Sequence, residues 1–365
     1  MPGSTMRHLR ILCRRFDGLL WPQRQWLVRL ADPEASDFHL PRPLKRKQIR
    51  DLFCLADRHG VLPVVCANLR TVLERRGWGA CVATPMDAIV LQQSLEAARD
   101  ILVERSGLSL LLRTQLDDIA QAIARRGLRV VVMKGPQFAD RLYRQGSLRL
   151  FTDIDLLVSL ADLSEVQEAI GELGYSPAPV RMKYDQGYAE QTWRRQQAPG
   201  GPIELHWDLV NSPTLRKGVS VGIDDLMFEP DRQGTPLATP TPASLLLMAA
   251  VHAAASHSFD RLQMLCDVLQ IVRGSAGKVD EHFLGESARR TGAAPAVAMA
   301  LDLCWRIFGS QACDDLRRRC ELPRPAFWQR ALISSGVVLR AHKPLDSPRR
   351  QIFRSMLKHG RPAQL

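Results

Sequence analysis

The chain has no C-x-x-C pair among its eight cysteines, no apolar run long enough to span a bilayer, and no internal repeat with a period of roughly 20 to 50 residues. Cys13, Cys54, Cys66, Cys81, Cys266, Cys304, Cys313 and Cys320 lack histidines at metal-ligand spacing, which excludes a zinc ribbon and a dithiol redox motif. Several fall in apolar helical patterns and read as reduced core thiols of a cytoplasmic protein. The longest apolar run, Ala243 to Ala255, is interrupted by His252 and falls short of the roughly 20 residues a membrane span needs. The opening stretch MPGSTMRHLRILCRRFDGLL scatters charges through its apolar positions and offers no small-residue cleavage site, so it does not read as a signal peptide. Neither an RNA-binding module nor an aromatic-rich basic strand is present, which disfavours a nucleic-acid partner.

Acidic residues are in short supply. Only 38 Asp and Glu face 50 Lys and Arg, giving a formal net charge of +12 and a pI near 9.7. Such an excess suits anionic partners, whether nucleoside triphosphates, nucleic acid or anionic membrane surfaces. Much of it is arginine spread through helical stretches, where it also reads as a solvated basic face. With 365 residues, 45% of them hydrophobic and 24% charged, the composition is that of an ordinary globular protein of two or three units.

The chemistry concentrates between Leu128 and Val158, LRVVVMKGPQFADRLYRQGSLRLFTDIDLLV. Arg129 to Met133 has the length and branching of a buried strand, and Lys134-Gly135-Pro136 ends it with a glycine turn and a proline suited to a helix's first turn. Gln137 to Tyr143 reads as a short helix, Arg144 to Phe151 as a loop, and Asp153 to Val158 as a second strand. A period of two sends Asp153 and Asp155 to one face and Ile154 to the other. Two carboxylates side by side repel one another, so a cation is expected between them, and a divalent metal fits best. A basic side chain filling the space among these acids and Glu204 would argue against the metal and against an enzyme built on it. Farther on, Pro202 to Asp208 alternates so that Glu204, His206 and Asp208 share a face opposite Ile203, Leu205 and Trp207.

Elsewhere the pattern is helical: Gln23 to Ala31, Lys47 to His59, Leu62 to Arg76 and Pro85 to Arg105, then an amphipathic helix from Leu108 to Arg126 carrying Leu112, Leu116, Ile119 and Ile123. Asp162 to Leu173 reads as a helix, and two short strands are expected around Lys183 to Gly187. After a Pro- and Gly-rich loop from Asn211 to Pro242, helices are expected at Ser244 to Val272, Asp280 to Arg290, Pro295 to Phe308, Ala312 to Arg319 and Pro325 to Ala341. His252 and His257, five apart, should diverge on a regular helix and read as core or pocket residues rather than metal ligands. The basic tail from Arg349 to Arg361 reads as exposed. The fold class is therefore α+β, with an N-terminal helical region (1–107), a core (108–238) and a C-terminal helical region (239–365).

The Lys-Gly turn, the helix bearing Tyr143, then Arg149 and Asp153-Ile154-Asp155-Leu156-Leu157-Val158 together resemble the nucleotidyltransferase fold superfamily, within it the bacterial group of uncharacterised nucleotidyltransferases. The resemblance implies a small mixed sheet with flanking helices and a phosphate turn at Lys134 and Gly135, with Arg149 near the phosphates. It places magnesium on Asp153 and Asp155, with Glu204 as the third acid in a Glu-Leu-His-Trp pattern. Octahedral magnesium wants oxygen ligands, so three carboxylates from two strands plus substrate phosphates would complete its shell. Two magnesium ions are implied, with manganese as the alternative, and His206 and Tyr143 in support. The turn departs from the superfamily's commoner Gly-Ser or Gly-Gly by offering a cation and losing one N–H at Pro136. A His-rich helix followed by Arg261-Leu262 and Asp267 also matches the group, for a role beside substrate or between regions. The implied reaction moves a nucleoside monophosphate from a nucleoside triphosphate to an unidentified acceptor, a small molecule or protein, with release of pyrophosphate. The competing readings are a catalytically silent nucleotide-binding or interaction protein and a nucleic-acid-directed nucleotidyltransferase.

Overall fold

The computed structural model describes residues 22–35, 40–179, 187–195, 200–230, 237–274, 278–340 and 347–359. Three helices lead, α1 (Pro22–Leu30), α2 (Arg46–Arg58) and α3 (Leu62–Arg76), followed by one long helix, α4 (Pro85–Arg125). The sequence predicts a break near Ser106-Gly107, and α4 runs through it. A single interior glycine costs a helix only about 1 kcal/mol, less than the burial of Leu112, Ile119 and Ile123 along the same face returns. The expected boundary after residue 107 therefore falls inside a continuous helix.

A mixed five-stranded sheet follows, in the order β1-β2-β5-β4-β3. Its strands are β1 (Val130–Val132), β2 (Ile154–Val158), β3 (Tyr175–Pro177), β4 (Glu190–Arg195) and β5 (Ile203–His206), with β2 and β5 parallel and the other pairs antiparallel. Helices α5 (Pro136–Leu142) and α6 (Leu163–Glu172) connect them. The expected strands around Lys183 appear on either side of residues 180–186, which lie outside the described residues. One face of the sheet is apolar: Val130, Val132, Ile154, Leu156, Ile203 and Leu205 pack with Leu112 and Ile119 of α4 and Ile170 of α6. The opposite face carries Val131 and Leu157 into a second core shared with the remaining helices, and it also carries the acids.

The register of β5 is fixed from outside the sheet. Gln115 of α4 accepts from the Gly201 N–H at 3.0 Å and donates to the Gly201 carbonyl at 3.2 Å, and the Ile154 N–H reaches the Pro202 carbonyl. A side chain at Gly201 would meet the Thr152 carbonyl oxygen at 2.9 Å, so only glycine allows this approach.

The C-terminal half comprises α7 (Pro213–Arg216), α8 (Pro242–Val251), α9 (Leu262–Gly274), α10 (Glu281–Arg290), α11 (Ala294–Phe308), α12 (Gln311–Arg319), α13 (Phe327–Leu332), α14 (Ser335–Val338) and α15 (Pro348–Met356). The helix expected from Ser244 to Val272 is two helices. A π turn at His252–Ser256 ends α8, and Ser258 and Phe259 take positive φ before α9 begins. The tail is not exposed as expected: Arg350 is fully buried, donating to the Val337 carbonyl, and Phe353 packs on Phe259 with ring centroids 5.8 Å apart. No helix among the described residues is long and apolar enough to cross a membrane.

Candidate active site

Because β2 and β5 run parallel with Asp155 opposite Glu204, period-two alternation lines up Asp155, Glu204 and His206 on one face of adjacent strands. One donor atom from each lies within 4.8 Å of the others. Asp155 is 1% exposed and Glu204 25% by side chain, so the group sits on the floor of the site rather than on the surface. Asp153 precedes the strand and is not one of the three. The ligand set expected from sequence, Asp153, Asp155 and Glu204, is thus divided, with His206 completing the group and Asp153 to one side.

The cation expected between Asp153 and Asp155 is a lysine. Lys134 Nζ lies 2.7 Å from Asp155 Oδ2 and 3.4 Å from Asp153 Oδ2. It comes from the Lys134-Gly135-Pro136 turn, where Gly135 takes φ 60° and ψ −119°, a conformation that favours glycine, and Pro136 opens α5. A basic side chain therefore fills the space where the sequence placed a divalent ion, the arrangement named above as contrary to it.

The electrostatics leave the site short of positive charge despite that lysine. Burial opposes ionisation of Asp155, yet the Lys134 ammonium and His206 outweigh it and hold the carboxyl well below its usual range. Burial also works against Lys134's charge, and Asp155 and Asp153 reverse it, so the ammonium is held above its usual range. Glu204 goes the other way: burial, then the Asp155 and Glu190 charges, push it up to about 8. Burial works against a charged His206, and Asp155, Glu190 and Glu204 together overcome it and raise its pKa. His206 Nε2 lies 3.4 Å from Asp155 Oδ1 and 3.8 Å from Glu204 Oε2, with no hydrogen-bond geometry to any protein atom. Asp155 Oδ2 likewise has an ion-pair neighbour but no aligned hydrogen-bond donor. A buried His206 nitrogen without a hydrogen bond, beside a Glu204 carboxyl that burial and its acidic neighbours push towards its protonated form, leaves donor atoms that a cation could take up. The residues present fit a divalent metal.

Sequence reasoning singled out neither Glu190 nor Asn211. Glu190 stands opposite His206 across β4 and β5; Asn211 hydrogen-bonds Glu190 and lies 3.1 Å from His206 Nδ1. Alternation along Glu190-Gln191-Thr192-Trp193, with Trp193 buried, was the available signal. Asp208, expected on the polar face, lies past the end of β5 and accepts from Ser220 and the Val210 and Val221 amides, a structural role.

Arg149 and Tyr143 meet behind the glycine turn. Arg149 pairs with both oxygens of Asp267 through Nε at 2.8 Å and Nη2 at 2.9 Å, and Nη1 donates to the Gly135 carbonyl at 3.3 Å. The Tyr143 hydroxyl donates to Asp267 at 2.8 Å. This buried fork ties the turn to α9, so Asp267 joins the core to the C-terminal helices. Beside it opens a cleft of about 350 Å³ lined by Lys134, Gly135, Arg149, Asp153, His252 and His257, among others. The two histidines converge, contrary to expectation, with ring centroids 4.9 Å apart, because the π turn brings residues five apart onto one face. Burial, then the charges of His257 and Lys134, holds His252 well below the usual imidazole range.

No curated protein and no solved structure matches the chain. A family model does, over residues 45–309, well over half of the length and including every residue placed in this site. By that match the chain belongs to a family of uncharacterised nucleotidyltransferases.

Proposed function

We propose that this protein moves a nucleoside monophosphate from a nucleoside triphosphate to an acceptor hydroxyl or similar nucleophile and releases pyrophosphate. The observation that carries this reading is the convergence of three metal-ligating side chains, Asp155, Glu204 and His206, on adjacent parallel strands. The two carboxylate oxygens suit magnesium, and the imidazole nitrogen of His206 suits manganese better than magnesium. When bound, such an ion would supply Lewis acidity, lowering the acceptor's pKa and offsetting charge on the departing pyrophosphate. Asp155, ionised by its neighbours, would bind the ion throughout, whereas Glu204 and His206 would each have to release a proton to hold it. Asp153, 27% exposed and lining the cleft, faces the side from which the triphosphate would come and could share a second ion with it.

Lys134 lies between the cleft and the donor group. With an ion held at Asp155, the Lys134 ammonium would be available to the phosphates, where a point charge serves well. Arg149, spent on Asp267, holds the turn in place and lines the cleft. The seven free cysteines among the described residues suit a reducing cytoplasm.

Incubation with magnesium and each labelled triphosphate, scoring pyrophosphate release and label left on protein or added acceptors, tests the proposal. Release that disappears in Asp155→Asn is the expected result. The silent nucleotide-binding reading has one observation in its favour, the Lys134 ammonium standing between the two aspartates where an ion was expected. Triphosphate binding that is independent of divalent cations, with no pyrophosphate release from any of the four nucleotides, would establish it instead.

A further inference from the structure

Three further arginines, Arg58, Arg105 and Arg261, line the cleft. Arg105 of α4 pairs with Asp57, but among the described residues Arg58 and Arg261 have no hydrogen-bond or ion-pair partner. Both side chains line the cleft, and both residues are exposed.

Their backbones are not free. The intervening junction is buried: the Leu262 N–H donates to His59 Nδ1 at 3.3 Å, the Gln263 N–H donates to the His59 carbonyl at 3.1 Å, and His59 and Leu262 are both inaccessible to solvent. Gln263 in turn donates to the Leu150 carbonyl, four residues before the β2 strand begins. Residues some 200 apart in sequence are therefore clamped together where Arg58 and Arg261 both line the same cavity.

Chain architecture alone does not account for this. Arg58 closes α2, where a cation complements the helix dipole, but Arg261 directly precedes α9, the end where a positive charge is disfavoured. Two like charges lining one cavity repel each other, and Asp57, which lines it too, is already paired with Arg105. An anion between them would remove both penalties, and paired guanidinium forks match phosphate oxygens two at a time.

We infer that Arg58 and Arg261 form an oxyanion subsite of the cleft that takes a phosphate group of the substrate. This rests on the transferase reading only for its purpose; the binding itself stands without it. The phosphate belongs either to the tail of the nucleotide or to a phosphorylated acceptor.

Calorimetric titration with inorganic pyrophosphate tests it, comparing the parent with Arg58→Gln, Arg261→Gln and the double variant. Since both side chains are exposed and unpartnered, melting should stay as in the parent. Pyrophosphate affinity should fall about tenfold or more in the double variant, as the loss of a charge-assisted contact implies. If a nucleoside triphosphate weakens equally while the monophosphate is spared, the nucleotide's own tail occupies the subsite. If pyrophosphate weakens and the triphosphate does not, the subsite receives an acceptor's phosphate. Unchanged pyrophosphate affinity in a double variant that melts like the parent overturns the subsite. Pyrophosphate release in Asp155→Asn reports separately on the transferase reading, so either can fail alone.

Discussion

On one side of Lys134 the chain gathers Asp155, Glu190, Glu204 and His206 with too little positive charge, and on the other it gathers Arg58, Arg105 and Arg261 with too little negative charge. The acid side is built on a sheet, where register sets each position and Gln115 locks β5 in place. The arginine side is built from helix ends joined through His59 and Leu262, where tertiary docking sets each position. A metal nucleotide carries both signs, and it would offset both imbalances at once. Lys134, whose ammonium reaches the acids, marks the divide.

Breaking the acid side should have the largest effect. Asp155→Asn is expected to lower pyrophosphate release by about a thousandfold or more, because a donor and its charge are both lost. It should also cost several kcal/mol of stability, since the buried Lys134 and His206 lose the partner that holds their charges. Sequence alone suggests the reverse, a fold relieved by losing one of two repelling carboxylates; Lys134 is what changes the sign. Full activity in this variant would remove Asp155 from the mechanism.

The tie between the halves comes next. Asp267→Ala leaves the Arg149 guanidinium buried without its carboxylate, which should cost about 3 to 5 kcal/mol in denaturant melts, whereas Tyr143→Phe should cost about 1 kcal/mol. Equal effects from the two would mean that Arg149 finds other partners.

The junction under the arginines should respond to pH. Burial holds His59 down at about 4, against an ordinary value of 6.5. The folded state keeps it neutral while the unfolded chain takes up a proton, so its contribution is complete above pH 6.5 and is lost as pH falls through 4. That amounts to about 3 kcal/mol. His59→Gln keeps an acceptor for the Leu262 amide and does not titrate, so parent stability should fall relative to the variant by this amount between pH 6.5 and 4. Parallel curves would contradict a neutral buried His59.

Lys134→Ala sharpens the comparison with a smaller effect of two signs. Without the competing ammonium, manganese should bind about tenfold more tightly in the absence of nucleotide, while triphosphate affinity falls by a similar factor. Loss of both affinities would make Lys134 a plain structural residue.

The sheet was legible in the sequence because period-two alternation places Asp155, Glu204 and His206 without any tertiary knowledge. The Lys134-Gly135-Pro136 turn was legible because glycine and proline each have a local conformational reason to be there. What was not legible came from docking. Gly107 suggested a break in α4 because propensity counts a penalty but not the apolar face that outweighs it. His252 and His257 looked divergent because periodicity assumes 3.6 residues per turn, and the chain there makes a π turn. The buried tail follows from Phe353 meeting Phe259 across 94 positions, a contact that local pattern does not encode. The ion between the aspartates proved to be a lysine because the nearest available cation lay in the adjacent turn.

The central claim is that Asp155, Glu204 and His206 hold a divalent cation, and manganese titration of the parent and of Glu204→Gln, followed by paramagnetic resonance, tests it most directly. Glutamine resembles the protonated form that Glu204 adopts without a cation, so the variant should melt like the parent. Saturable manganese binding is expected in the parent, weakened about a hundredfold or more in the variant. Equal affinity in the two proteins, or no manganese bound by the parent even with triphosphate present, would contradict it.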